Sequence, residues 1–161
     1  MNAWFILISL HTIVATVCFI AGIFIISPER AKKYKWLVSI FVWTLFLMII
    51  FMIGATLSHW RNITISQRIT FSALAGLGIY MFYRGYQAKK RFSKNHFSTG
   101  YIDDVGFVLI ALFDGFAIVS LLDMKMPVWI IVSGAILAIF IGSRFVNTIK
   151  RKFFSNKEKI N

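Results

Sequence analysis

Apolar positions gather into five long runs, at about 3–26, 36–58, 69–86, 105–123 and 127–147, separated by short polar stretches. About 20 apolar residues cross a hydrocarbon core of roughly 30 Å, so each run predicts a transmembrane helix. The third and fourth runs are the shortest, and Asp114 interrupts the fourth in "DDVGFVLIALFDGFAIVSLLD". The link between the fourth and fifth, "MKMP", is too short for anything but an antiparallel hairpin. Pro127 fits the first turn of the last helix, where its missing N–H costs no helical bond. The pattern predicts an all-α, polytopic integral membrane bundle of five transmembrane helices, forming one membrane domain over residues 1–161.

Composition agrees with that solvent. Hydrophobic residues make up 58% of the 161 and charged residues 15%, well below the charged share of a soluble domain. The formal net charge of +12 would fit nucleic acid only if the basic residues formed one polar face, and here they cluster between apolar runs. No nucleic-acid partner is expected. Cys18 is the single cysteine, which excludes an internal disulfide and a cysteine-rich metal site. The N-terminal run has no basic region before it and no small-x-small cleavage site after it, so it is expected to be retained.

Charge then orients the spans. Four basic residues lie in "SPERAKKYK", five in "YRGYQAKKRFSKN" and six in the tail from Arg144; the other side holds Arg61, Arg68 and Lys125. That division of 15 against 3 places the N-terminus outside and the C-terminus, with a basic tail over 148–161, in the cytoplasm. Aromatic residues fit interfacial belts, with Trp4, Trp60 and Trp129 outside and Tyr34, Trp36, Tyr83, Tyr86 and Tyr101 inside. The expected location is a cell membrane, the cytoplasmic membrane of a bacterium, with anionic lipids drawn to the inner basic clusters. Asn62-Ile63-Thr64 matches a glycosylation acceptor close to the membrane and is taken as chance.

In lipid, close packing holds helices together, so small residues mark contacts. Gly134, Ala138 and Gly142 form a continuous stripe on the fifth span; Ser72, Ala75, Gly76 and Gly78 mark the third; Ala111, Gly115 and Ala117 mark the fourth. His11, Ala15, Cys18 and Gly22 share one face of the first. Such stripes serve helix packing within the bundle, a homo-oligomer or a partner in a membrane complex.

Ionisable groups inside a bilayer are expensive and point to function. Asp114 lies roughly 14 Å from the inner end of its span and His11 roughly 12 Å from the outer end of its own, so the two differ in height by only about 4 Å. If the first and fourth spans are neighbours, the pair can hold or pass one proton or bind a cation. The plainer alternative is a neutral Asp114 bonded to a carbonyl or hydroxyl. His11 and His59, both toward the outer side, form a second constellation. Paired imidazoles from two helices are axial ligands of b-type haem in bundles, although a stagger of about 10 Å separates them here.

Arg84 and Arg144 lie near inner span ends and are read as snorkelling to headgroups. Asp103-Asp104 is read as a helix N-terminal cap that complements the dipole. His96 has no evident partner. Walker loops, Gly-rich dinucleotide motifs, HExxH and nucleophile elbows are absent from the sequence, which disfavours an enzyme. Three functions stay open: binding or moving a small solute or proton at His11 and Asp114; a haem b redox protein using His11 and His59; or a non-catalytic accessory or assembly subunit.

Overall fold

The computed structural model describes residues 3–60, 63–94, 99–124 and 126–158. Six helices follow in order: α1 (Ala3–Ile25), α2 (Pro28–Lys33), α3 (Lys35–His59), α4 (Ile65–Ser93), α5 (Thr99–Asp123) and α6 (Val128–Glu158). No strand occurs among the described residues. α1, α3, α5 and α6 each contain a stretch long and apolar enough to cross a membrane, as a multi-pass membrane protein requires. α4 covers the predicted third span but carries Ser, Gly and Tyr along its length and basic residues toward both ends, so it is less apolar. The expected basic tail is a continuation of the last helix, which runs on to Glu158.

Local chemistry explains the boundaries. Pro28 cannot extend α1; it opens α2 instead, in the first turn after Ser27. Thr64 and Gln67 close a reciprocal capping box at the start of α4: the Thr64 hydroxyl accepts from the Gln67 N–H, and the Gln67 side chain accepts from the Thr64 N–H. Pro127 stands just before α6 rather than inside it, its carbonyl accepting from the N–H groups of Ile130 and Ile131.

Five hydroxyls within α1 and α3 are satisfied at home. Thr12 donates to the Ile8 carbonyl, Thr16 to Thr12, Thr44 to Ile40, Thr56 to Met52 and Ser58 to Ala55, at 2.8–3.0 Å. Back-bonding of this kind removes the cost of a polar group facing hydrocarbon.

The long helices α1, α3, α4, α5 and α6 run antiparallel in succession. Beside α3, Gly85 of α4 meets Leu45 and Phe41, Gly78 meets Ile49 and Met52, and Arg68 lies over the Trp60 ring. Thus α4 accompanies α3 from residue 41 to residue 60. α1 packs on α3, α4 on α5, and α5 returns to α1, closing a ring of four; α6 packs against the outside of α5. The hydroxyl of fully buried Tyr101 donates to the Ile25 carbonyl at 2.8 Å, capping the C-terminal end of α1 from α5. Tyr101 is therefore core, not part of the expected aromatic belt. Tyr34, Trp36, Tyr83 and Tyr86 are exposed.

The buried core lies toward one end, which also carries the basic connections. It comprises Cys18 to Ala31, Val38 to Ile49, Met81 to Ala88 and Tyr101 to Leu109. A Cβ added at Gly22, Gly85, Gly106 or Gly142 would strike a neighbouring side chain within 2.5–2.7 Å, whereas at Gly76 and Gly115 it would meet nothing within 4 Å. Contact in α4 therefore runs through Gly78 and Gly85 rather than Ser72 and Gly76. In α5 it runs through Gly106 rather than Gly115.

Candidate functional site

His11 sits on the face of α1 that meets α3, beside Ala15, Cys18 and Gly22. Its Nδ1 donates to the Met48 carbonyl at 3.0 Å; because a carbonyl only accepts, this nitrogen carries the proton. His59 ends α3 and its ring lies 5.3 Å from that of Trp4. Trp4 precedes His11 by seven residues, about 10 Å along the helix, so the two imidazoles occupy different levels of the α1–α3 pair. Ligands to one iron must converge on one point, and these do not. Among the described residues, no group of three or more His, Cys, Asp or Glu gathers as a metal site would require.

Asp114 faces elsewhere. On α5, Ile110 packs at Gly142 of α6 and Leu121 at Gly134. Asp114 follows Ile110 by four residues and precedes Leu121 by seven, which puts it on the same stripe, level with Ala138. Gly134 and Gly142 of the α6 stripe thus meet side chains of α5. Helical angle then turns Asp114 toward the α4 flank of this seam, away from α1. No hydrogen bond or ion pair joins it to His11.

Three buried side-chain atoms among the described residues lack a hydrogen bond: Arg68 Nε, Asp104 Oδ2 and Asp114 Oδ1. Two have charged or aromatic company. The Arg68 guanidinium stands over Trp60 at 5.3 Å, and Asp104 Oδ2 lies 3.3 Å from Arg91 Nε, an ion pair that falls short of hydrogen-bond geometry. Asp114 Oδ1 has neither. Of these three buried atoms among the described residues, the Asp114 oxygen is the one whose chemistry the fold leaves open.

Sequence reasoning missed the charged cluster at the basic end. Arg84 does not snorkel freely: its Nε donates to Asp104 Oδ1 at 2.6 Å, its Nη1 donates to the Tyr80 hydroxyl at 3.1 Å, and its guanidinium stands 5.1 Å over the Phe107 ring. Asp103 and Asp104 are not a cap, because α5 begins at Thr99 and places both beyond the first turn. Asp103 pairs with Lys150 of α6. Any side chain at Gly100 would occupy the space of the Arg91 guanidinium, so this glycine lets Arg91 cross α5 toward Asp104. The cluster ties α4, α5 and α6 together at the same level. Arg144 is exposed and lies 5.0 Å over Phe140. Arg61, Asn62, His96 and Lys125 lie outside the described residues. Comparison with protein-family models, with curated proteins and with solved structures finds no match for this chain.

Proposed function

We propose that this protein crosses the membrane five times, N-terminus outside and basic C-terminus inside, and binds a proton on Asp114 within the bilayer. The antiparallel course of α4 alongside α3 supports the fifth crossing, and the division of basic residues supports the orientation. The carrying observation is the buried Asp114 oxygen with no hydrogen-bond partner. A lone carboxylate in hydrocarbon is costly. A proton removes that charge with one bond, whereas a metal cation asks for several oxygens at once. That favours the proton over a metal ion. His11, bonded on the α3 side, is not part of this site.

Dicyclohexylcarbodiimide, a membrane-soluble reagent for protonated carboxyls, tests the reading on the purified protein in liposomes. Wild type is expected to be labelled at Asp114, increasingly as pH falls, with Asp114→Asn unlabelled. A pH-dependent proton leak across those liposomes is expected to fall at least about tenfold in the same variant, the scale of losing one proton-transfer group. An unlabelled wild-type Asp114, or labelling independent of pH, would overturn it.

The open faces at Gly76 and Gly115 favour a second reading, an accessory subunit in which a partner helix supplies Asp114 with a donor. Then Asp114→Asn leaves proton leak unchanged and instead releases a co-purifying membrane protein.

A further inference from the structure

A second feature, independent of Asp114, lies on the other side of α5. α1 with α2, α5 and α6 enclose a lateral groove of about 910 Å³, near the upper end of the roughly 300–1,000 Å³ usual for small-molecule sites. Its floor is low because α5 and α6 approach at glycines: Gly106 against Val146 and Gly142 against Ile110. Its walls are apolar, with Phe19 and Ile23 on α1 and Ile141 and Phe145 on α6. Ile23, Ile141 and Phe145 are 46–60% exposed, so the groove opens sideways, toward lipid.

One end differs in chemistry. The turn at Ser27-Pro28 swings α2 across the groove, and Arg30 and Lys32 from α2 join Lys152 of α6 there, against the single acid Glu29. Along α6 the lining runs from Ala138 to Phe153, about 22 Å at the rise of a helix. Half of a bilayer, headgroups included, is also about 20–22 Å. The groove therefore has the length of one leaflet, hydrocarbon-like over most of its course and cationic where headgroups lie.

We infer that this groove holds one phospholipid of the leaflet at the basic end, with its anionic headgroup at Arg30 and Lys152 and an acyl chain between the α1 and α6 walls. Each basic residue near a membrane surface adds to the attraction for anionic lipid, and the apolar walls distinguish this site from a diffuse basic surface. Charge sets the choice of headgroup, while shape makes the site singular.

The test uses the full chain purified in detergent and titrated with phosphatidylglycerol or phosphatidylcholine of identical acyl chains, with bound lipid counted by native mass spectrometry. One tightly held phosphatidylglycerol is expected. Arg30→Gln with Lys152→Gln should lower the preference for phosphatidylglycerol by about tenfold or more, leaving the weaker binding of phosphatidylcholine intact. Ile141→Trp and Ile23→Trp fill the groove from opposite walls at exposed positions, so the fold is kept and retention of both lipids should fall. Unchanged phosphatidylglycerol binding in both tryptophan variants would overturn the site in favour of diffuse attraction. Equal displacement of the lipid by inorganic phosphate would likewise overturn it, since the acyl chain would then contribute nothing.

Discussion

Arg84→Met is expected to destabilise the protein by about 3–5 kcal/mol, the cost of leaving one charge of a buried pair without its partner. Asp104 is 3% exposed and Arg84 holds it at 2.6 Å. Arg91 cannot take over, because its side chain is 41% exposed and its contact to Asp104, at 3.3 Å, is poorly aligned. Lys150→Met gives the comparison. Its partner Asp103 is 40% exposed, so that pair is screened and its loss should cost no more than about 1 kcal/mol. Arg84→Met combined with Asp104→Leu should recover most of the loss, since an apolar pair needs no compensation. Unfolding of the detergent-solubilised protein by increasing SDS measures all three. An Arg84→Met midpoint no lower than that of Lys150→Met would refute a buried clamp.

Gly142→Leu should be nearly as damaging, for a steric reason. A Cβ at 142 would stand 2.6 Å from Ile110 Cγ1, and one at 106 would stand 2.6 and 2.9 Å from the Val146 methyls. The two glycines receive each other's neighbours in turn, which brings α5 and α6 close. Overpacking such a contact costs about 1–3 kcal/mol or more. In lipid this loss is not offset by hydrophobic burial, because the tails are as apolar as the interface. α6 packs mainly against α5, so the helix should loosen as a unit. Tryptic cleavage at Lys150 to Lys152 should then accelerate as Lys150 leaves Asp103. Gly115→Leu and Gly76→Leu, with no neighbour within 4 Å, should stay within about 0.5 kcal/mol of wild type. Equal losses at 142 and 115 would refute the close contact as the cause, since leucine has the higher helix propensity at both positions.

Much of the fold was legible because a bilayer imposes a length on every crossing helix. Four of the five apolar runs coincide with helices to within a few residues at most ends, and the third lies inside the longer α4. In the close contact of α5 and α6, Gly134 meets Leu121 and Gly142 meets Ile110; the small-residue pattern by itself left the partner open. The Arg84–Asp104 clamp could have been found too. Both residues sit near the basic ends of consecutive antiparallel helices, hence at one level, and carry opposite charges. The turning of Asp114 away from His11 was not legible. Equal height says nothing about azimuth, and α5 has neighbours on three sides.

Composition, span length and charge distribution belong to the sequence by itself, since they depend on single residues against water and hydrocarbon. They determined an all-helical fold with helices long and apolar enough to cross a membrane. Partner choice depended on the packed structure. Helices in lipid have little hydrophobic preference for one face over another, so contact is decided by which surfaces interlock. That interlocking placed Gly106 on Val146, set His11 on the Met48 carbonyl, left Asp114 without a partner, and opened a basic-ended groove between helices far apart in the chain.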